Sequence, residues 1–160
     1  KFLFEKIGYN LEGSEVGAAF GLKQLEKLNK NIKIRQNNFK IQTDFFDSYK
    51  DFFINPSQTS STESAWLAFP ILIKENAPFS RKEFQIYLEQ RDIQTRVVFT
   101  GNILKQPMCK GIKKRITKKG LFNSDNIMKN GVLLPLHHGM TDDMFDRLHL
   151  TIKQFLKSKV

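Results

Sequence analysis

Cysteine is nearly missing from this sequence. Cys109 is the single example among 160 residues, so no disulfide can form within the chain and a reducing, cytoplasmic compartment is expected. No run of about 18 apolar residues occurs, which excludes a membrane-spanning helix, and no membrane partner is expected. Glycine-rich loops of the kinds that cradle phosphates or dinucleotides are absent. The three histidines, His137, His138 and His149, have no zinc-binding spacing, so no metal site is expected. No nucleophile elbow is present, so serine hydrolase chemistry has no support. Motifs therefore assign no self-sufficient active site and no catalytic residue. Acidic residues are also scarce, 16 against 26 lysines and arginines, for a net charge of +10. Such a balance is compatible with nucleic acid, an acidic membrane or phosphate-bearing ligands, and equally with a composition biased towards Lys, Asn, Ile and Phe. The opening Lys1-Phe2-Leu3-Phe4 reads like the middle of a protein.

What is present patterns into one domain with a real core. Val16, Ala19, Phe20, Leu22, Leu25 and Leu28 predict a helix from Glu15 to Leu28, capped by Ser14. Gly17 and Gly21, one turn apart, predict a close approach by another backbone. A second helix is expected from Ile32 to Phe53, ended by Pro56, and Gln58–Ser64 reads as a polar linker. Ala65–Lys74 predicts a buried strand. Ser80 and Glu83 form a capping box, with Phe79 and Phe84 as its hydrophobic staple, for a helix to Gln90. Ile93–Phe99 predicts a second strand, Gly101–Gly120 a long basic loop, and Asn123 or Ser124 the cap of a short helix ending at a C′ glycine, Gly131. Val132–Leu134 predicts a third strand, and Thr141 with Asp142 and Asp143 starts a last helix. The expected class is α+β: two long N-terminal helices, then a sheet of about three strands with helices on one face.

Two sets of residues carry a resemblance. Gly8-Tyr9-Asn10-Leu11, Glu15, Ala18-Ala19, Leu22, Gln24-Leu25 and Leu28, followed by Arg35 and Asn38, resemble a hallmark of the nucleotide-sugar aminotransferases, which are fold-type-I pyridoxal-phosphate (PLP) enzymes. Gly17 stands where that family usually has glutamine. Thr95-Arg96, Phe99, Gly101-Asn102 and Gln106-Pro107 are similar to the dehydrase branch of the family, the 4-keto-6-deoxyhexose 3-dehydrases of lipopolysaccharide deoxysugar biosynthesis, typified by CDP-4-keto-6-deoxyglucose 3-dehydrase. Asn126-Ile127-Met128, Gly131 and His137–Thr141 also fit that branch.

The resemblance implies the C-terminal domain of the PLP-dependent aminotransferase fold. Residues 1–13 would be the tail of a large cofactor-binding domain, 14–56 linking or interface helices, and 57–160 the small α+β domain. PLP or its aminated form PMP would be held mainly upstream, and the piece alone would be inactive. It further implies a homodimer with a shared active site and a nucleotide-diphosphate sugar as substrate. Asn10 would reach the phosphate of the partner subunit's cofactor, with Tyr9 beside it; the bland alternative is an Asx turn feeding the helix. Arg96, Asn102, Gln106 and His138 are the candidate substrate-binding residues, each with a purely structural alternative: a surface strand arginine, loop-holding amides and a loop histidine. The lysines and arginine between Lys105 and Lys119 suit a nucleotide diphosphate or simply water. His149 is expected to be a surface or partly packed residue, and Trp66 and Phe69 to be core residues. A 4-keto-sugar aminotransferase, a small basic nucleic-acid-binding domain and an inactive remnant remain the alternatives.

Overall fold

A computed structural model describes residues 13–159. Instead of two N-terminal helices there is one, α1 (Glu15–Asp47), 33 residues long. The junction Asn29-Lys30-Asn31 holds neither proline nor glycine, so nothing interrupts the backbone ladder. Ser14 caps it as expected, its hydroxyl accepting from the Gly17 amide at 3.5 Å. The helix stops at Asp47, six residues early, where the Ser48 amide donates back to Phe45 and Phe46. The released segment forms an unexpected strand, β1 (Phe53–Ile54), which buries Phe53 completely.

The sheet has four strands rather than three. It comprises β1, β2 (Ala68–Ile73), β3 (Arg96–Val97) and β4 (Gly131–Pro135), in the order β1-β2-β4-β3, antiparallel throughout. Phe69, Ile71 and Ile73 alternate with half-buried Ala68, Pro70 and Leu72, so one face is fully covered. Leu134 and Val132 stand opposite Phe69 and Ile71 and extend that face. Phe46 of α1, Phe84 and Leu88 of α2 (Arg81–Glu89), and Leu148, Ile152 and Phe155 of α4 (Asp142–Lys157) close over it. Phenylalanine fills the centre: Phe53, Phe79, Phe84 and Phe155 meet at centroid distances of 4.9 to 6.2 Å, mostly tilted or edge-on. The capping box at Ser80 and Glu83 and the staple pair Phe79 and Phe84 form as expected.

Three local expectations change. The strand expected over 93–99 shrinks to Arg96–Val97, bracketed by Asp92 and Phe99, both at positive φ. Thr95 is drawn off the ladder because its amide and hydroxyl both donate to the Glu89 carboxylate, at 2.7 and 2.8 Å. The helix α3 (Phe122–Asn130) starts at Leu121 without a side-chain cap, and Asn123 and Ser124 lie inside its first turn. Gly131 is extended (φ −79°) and opens β4, so it is no left-handed cap. It is required by space, since a Cβ there would lie 2.6 Å from the Ile127 carbonyl oxygen and 2.8 Å from Val98 Cγ2.

The N-terminal half of α1 projects from this core. Val16, Phe20, Leu22, Leu25 and Leu28 are exposed and spread over about two thirds of the helix circumference, with Glu15, Lys23 and Glu26 on the rest. An apolar surface that broad is one that other protein ordinarily covers. Among the described residues nothing packs on Gly21, and Gly17 meets only the Ser14 Cβ at 3.8 Å, so the expected close approach is not made within this unit. No described helix is long and apolar enough to cross a membrane.

Candidate functional site

Helical spacing puts Arg35, Asn38, Gln42 and Phe45 on one face of α1, each a turn from the next. This face meets the connection between β4 and α4. The buried Asn38 amide donates to the His137 carbonyl at 2.8 Å. Fully buried Gln42 donates to the Pro135 carbonyl at 3.2 Å, and its Oε1 lies 3.0 Å from His149 Nε2. That pairing places the imidazole hydrogen on Nε2. The His149 ring stacks on Phe45 at 3.8 Å with the planes 1° apart. Burial, then the Lys153 charge, pushes its pKa down to about 4, so it is a neutral, partly packed residue, within the surface or partly packed role expected of it.

The seam ends in solvent at a cation and an imidazole. An Arg35 guanidinium nitrogen stands 3.5 Å from His138 Nδ1, and neither makes an ion pair among the described residues. The Gly139 amide donates to His137 Nδ1 at 3.1 Å and folds this turn tightly. His138 thus sits on the surface beside Arg35, a residue marked in the sequence only by its spacing to Asn38.

A second cluster gathers the loop after β3. Arg96 is exposed on that strand, opposite Leu133. Asn102 is buried: its amide donates to Asp125 at 2.7 Å and its oxygen accepts from the Leu104 amide at 3.0 Å, capping a 3-10 turn, Ile103–Lys105. These bonds and Lys105, 2.9 Å away, hold the Asp125 carboxyl below its usual range. Of the two roles expected for Asn102, its geometry suits loop-holding. Half-buried Gln106 lines a cleft of about 200 Å³ with Arg81, Phe99, Gly101, Ile127 and Met128. Phe99 stands at its mouth with φ +46° and 86% of its surface exposed, a strained backbone at a solvent-facing aromatic. Gly101 (φ +63°) leaves no room for a Cβ, which would fall 2.3 Å from Met128 Cβ. Asn102 and Gln106 therefore share one loop, while Arg96 lies on β3 outside the lining of this cleft, near Glu89. Tyr9 and Asn10 lie outside the described residues. Among the described residues no cluster of metal ligands occurs.

This arrangement, a long helix stitched to a small antiparallel sheet backed by further helices, is the small domain of the PLP aminotransferase fold. The solved E. coli GDP-4-keto-6-deoxy-D-mannose-3-dehydratase with bound hydrated PLP matches 94% of this chain and 38% of its own, with TM-score 0.78 and 29% identity. The DegT/DnrJ/EryC1/StrS aminotransferase family profile matches residues 1–153, and the chain belongs to that family. Salmonella typhimurium lipopolysaccharide biosynthesis protein RfbH is 30% identical over 97% of this chain and 35% of its own length. A dTDP-4-amino-4,6-dideoxy-D-glucose transaminase of Shigella dysenteriae is 29% identical over 92% and 39%. The chain thus spans little more than a third of the relatives it matches. The described residues form no cradle for PLP: Arg35 and His138 offer an exposed cation and imidazole, with no enclosing cavity, no paired carboxylate and no lysine presented to a ring.

Proposed function

We propose that this chain is the C-terminal portion of a PLP- or PMP-dependent nucleotide-sugar 3-dehydrase, acting on a nucleotide-linked 4-keto-6-deoxyhexose. The observation that carries the reading is the loop after β3. There the dehydrase-like residues Phe99, Gly101, Asn102 and Gln106 lie together, Asn102 fixing the loop and Gln106 opening onto a cleft, with Arg96 on the preceding strand. Arg96 and Gln106 are assigned to the sugar or its diphosphate, where a guanidinium fork and an amide match oxygen acceptors. His138, with Arg35, is assigned to a second anion-facing edge of the same substrate. Asn10 and Tyr9 are assigned to the cofactor of a partner subunit in a homodimer, and residues preceding this unit hold most of the cofactor. The uncovered apolar half of α1 supports both covering bodies, a large domain and a second subunit. A cytoplasmic enzyme fits the lone cysteine. The second reading, a 4-keto-sugar aminotransferase, is supported by the transaminase relative.

The test is turnover by the full-length protein of nucleotide-linked 4-keto-6-deoxyhexoses, with glutamate as amino donor and PLP added. A product lacking the C3 hydroxyl is expected. An aminated sugar that keeps that hydroxyl would establish the second reading, and no conversion of any such sugar would sink both.

A further inference from the structure

Between Asp92 and Asp125 the sequence holds no acidic residue but eight cations, six of them packed into residues 110–119. All six (Lys110, Lys113, Lys114, Arg115, Lys118 and Lys119) are exposed, and none forms an ion pair among the described residues. Five of the six lie between two left-handed glycines, Gly111 (φ +80°) and Gly120 (φ +74°), with nothing within 4 Å of either Cβ position. A solvated basic loop ordinarily carries polar spacers. Here the spacers include Ile112 and Ile116 beside Gly111 and Thr117, and the stretch is flanked by Met108 and Phe122, all four apolar side chains exposed.

We propose that residues 108–122 form a docking surface for an anionic phospholipid bilayer, an interaction beyond the enzymatic reading and contrary to the expectation of no membrane partner. Charge count argues against a nucleotide diphosphate as the occupant, because two or three cations saturate a diphosphate while six spread over ten residues suit an extended anionic plane. Nucleic acid would reward several arginines and stacked aromatic rings, whereas residues 108–122 have one arginine, Arg115, and one aromatic ring, Phe122 at their far end, with aliphatic groups between the cations. Lysines whose stems lie along an interface while their ammonium groups reach the headgroups, with aliphatic side chains entering the acyl boundary, match a bilayer edge. Each basic residue near an anionic surface strengthens partitioning roughly fivefold.

The experiment is co-sedimentation of the full chain with vesicles of phosphatidylcholine alone and of phosphatidylcholine mixed with phosphatidylglycerol. Binding only to the mixed vesicles is expected, lost when salt is raised to about 1 M, where the Debye length is about 3 Å. The triple variant K113Q/K114Q/R115Q should bind roughly a hundredfold more weakly. The variant I112S/I116S, with all charges kept, should also bind several-fold more weakly, which a purely electrostatic attraction would not predict. These positions lie outside the core, so both variants should match the parent in thermal unfolding. Equal binding to neutral vesicles, unchanged binding by the triple variant or unchanged binding by I112S/I116S would overturn the proposal. Release from vesicles by millimolar GDP, or tighter binding to an RNA or DNA oligonucleotide than to the vesicles, would reassign the loop to that ligand.

Discussion

Replacing Gln42 by leucine tests whether the seam between α1 and the β4–α4 connection is held by specific polar contacts or by packing alone. Leucine nearly conserves volume, so the cavity contribution is small. The substitution removes the donor to the Pro135 carbonyl and the acceptor facing His149 Nε2. A hydrogen bond contributes about 1 kcal/mol net, and stranding a buried partner costs about 1–3 kcal/mol. His149 is half-buried and recovers part of its bond with water. The expected loss is therefore about 2–3 kcal/mol, which for a domain of this size lowers the melting temperature by roughly 5–10 °C. Urea titration and calorimetry measure it. His149→Phe keeps a ring on Phe45 while deleting the nitrogen, so a double-mutant cycle isolates the pair. Coupling of about 1 kcal/mol between the two positions is expected. Q42L costing under about 0.5 kcal/mol, or additivity in the cycle within about 0.3 kcal/mol, would refute the reasoning.

The pH dependence of unfolding should carry the signature of His149. Its folded pKa of about 4 lies below the ordinary 6.5, so the unfolded chain takes up the proton first as pH falls and stability drops between those values. The full shift is discounted to about 1–2 kcal/mol because the ring is only half-buried. His149→Phe should flatten the curve between pH 4.5 and 6.5, and a parent profile already flat there rules the burial effect out. Below that window Glu83 takes over: bonds from Lys159 and Ser80 hold its carboxyl at about 2, so its contribution is present above pH 4.5 and fades towards 2. The glycines should respond in opposite directions. Gly131→Ala is expected to lose about 1–3 kcal/mol by overpacking against Ile127 and Val98, whereas Gly21→Ala, with nothing within 4 Å, should gain up to about 1 kcal/mol in chemical denaturation of this chain. Phe99→Gly should raise stability by about 0.5–1 kcal/mol through release of its left-handed backbone, and a measured loss would show that the exposed ring is held by contacts.

How far the sequence could be read follows from which forces act locally. The capping box at Ser80, the cap at Thr141 and the alternation through Phe69, Ile71 and Ile73 are short-range signals, and each appears where it was expected. The failures are tertiary. No proline or glycine ends α1 at Asp47; Asn55 folds back to the Thr43 carbonyl and Asp47 there, and the chain between buries Phe53 against β2. The β-branched run at 93–99 lost its ladder to a single carboxylate, Glu89, whose reach to Thr95 no periodicity reveals. Gly131 read as a helix stop, yet it is required by space, between the Ile127 carbonyl at the end of α3 and Val98, thirty-odd residues away. At the candidate site, Arg96, Asn102 and Gln106 were legible as a motif, but only the fold separates the buried, fully engaged Asn102 from the open Gln106. Arg35 carried a faint signal in its spacing to Asn38, and Gln42 carried none, because a glutamine on a helix surface and one at the centre of a seam look alike in sequence.

The uninterrupted length of α1 has a mechanical consequence. From Gln42, anchored at Pro135 and His149, to Glu15 the helix runs 27 residues, about 40 Å of stiff rod. A pivot of about 5° at the anchored end swings the tip by about 3.5 Å at that length. Arg35 lies only 7 residues, about 10 Å, from the Gln42 anchor on the same rod, so a shift of about 3.5 Å at Val16 and Phe20 is geared down to about 0.9 Å where Arg35 meets His138.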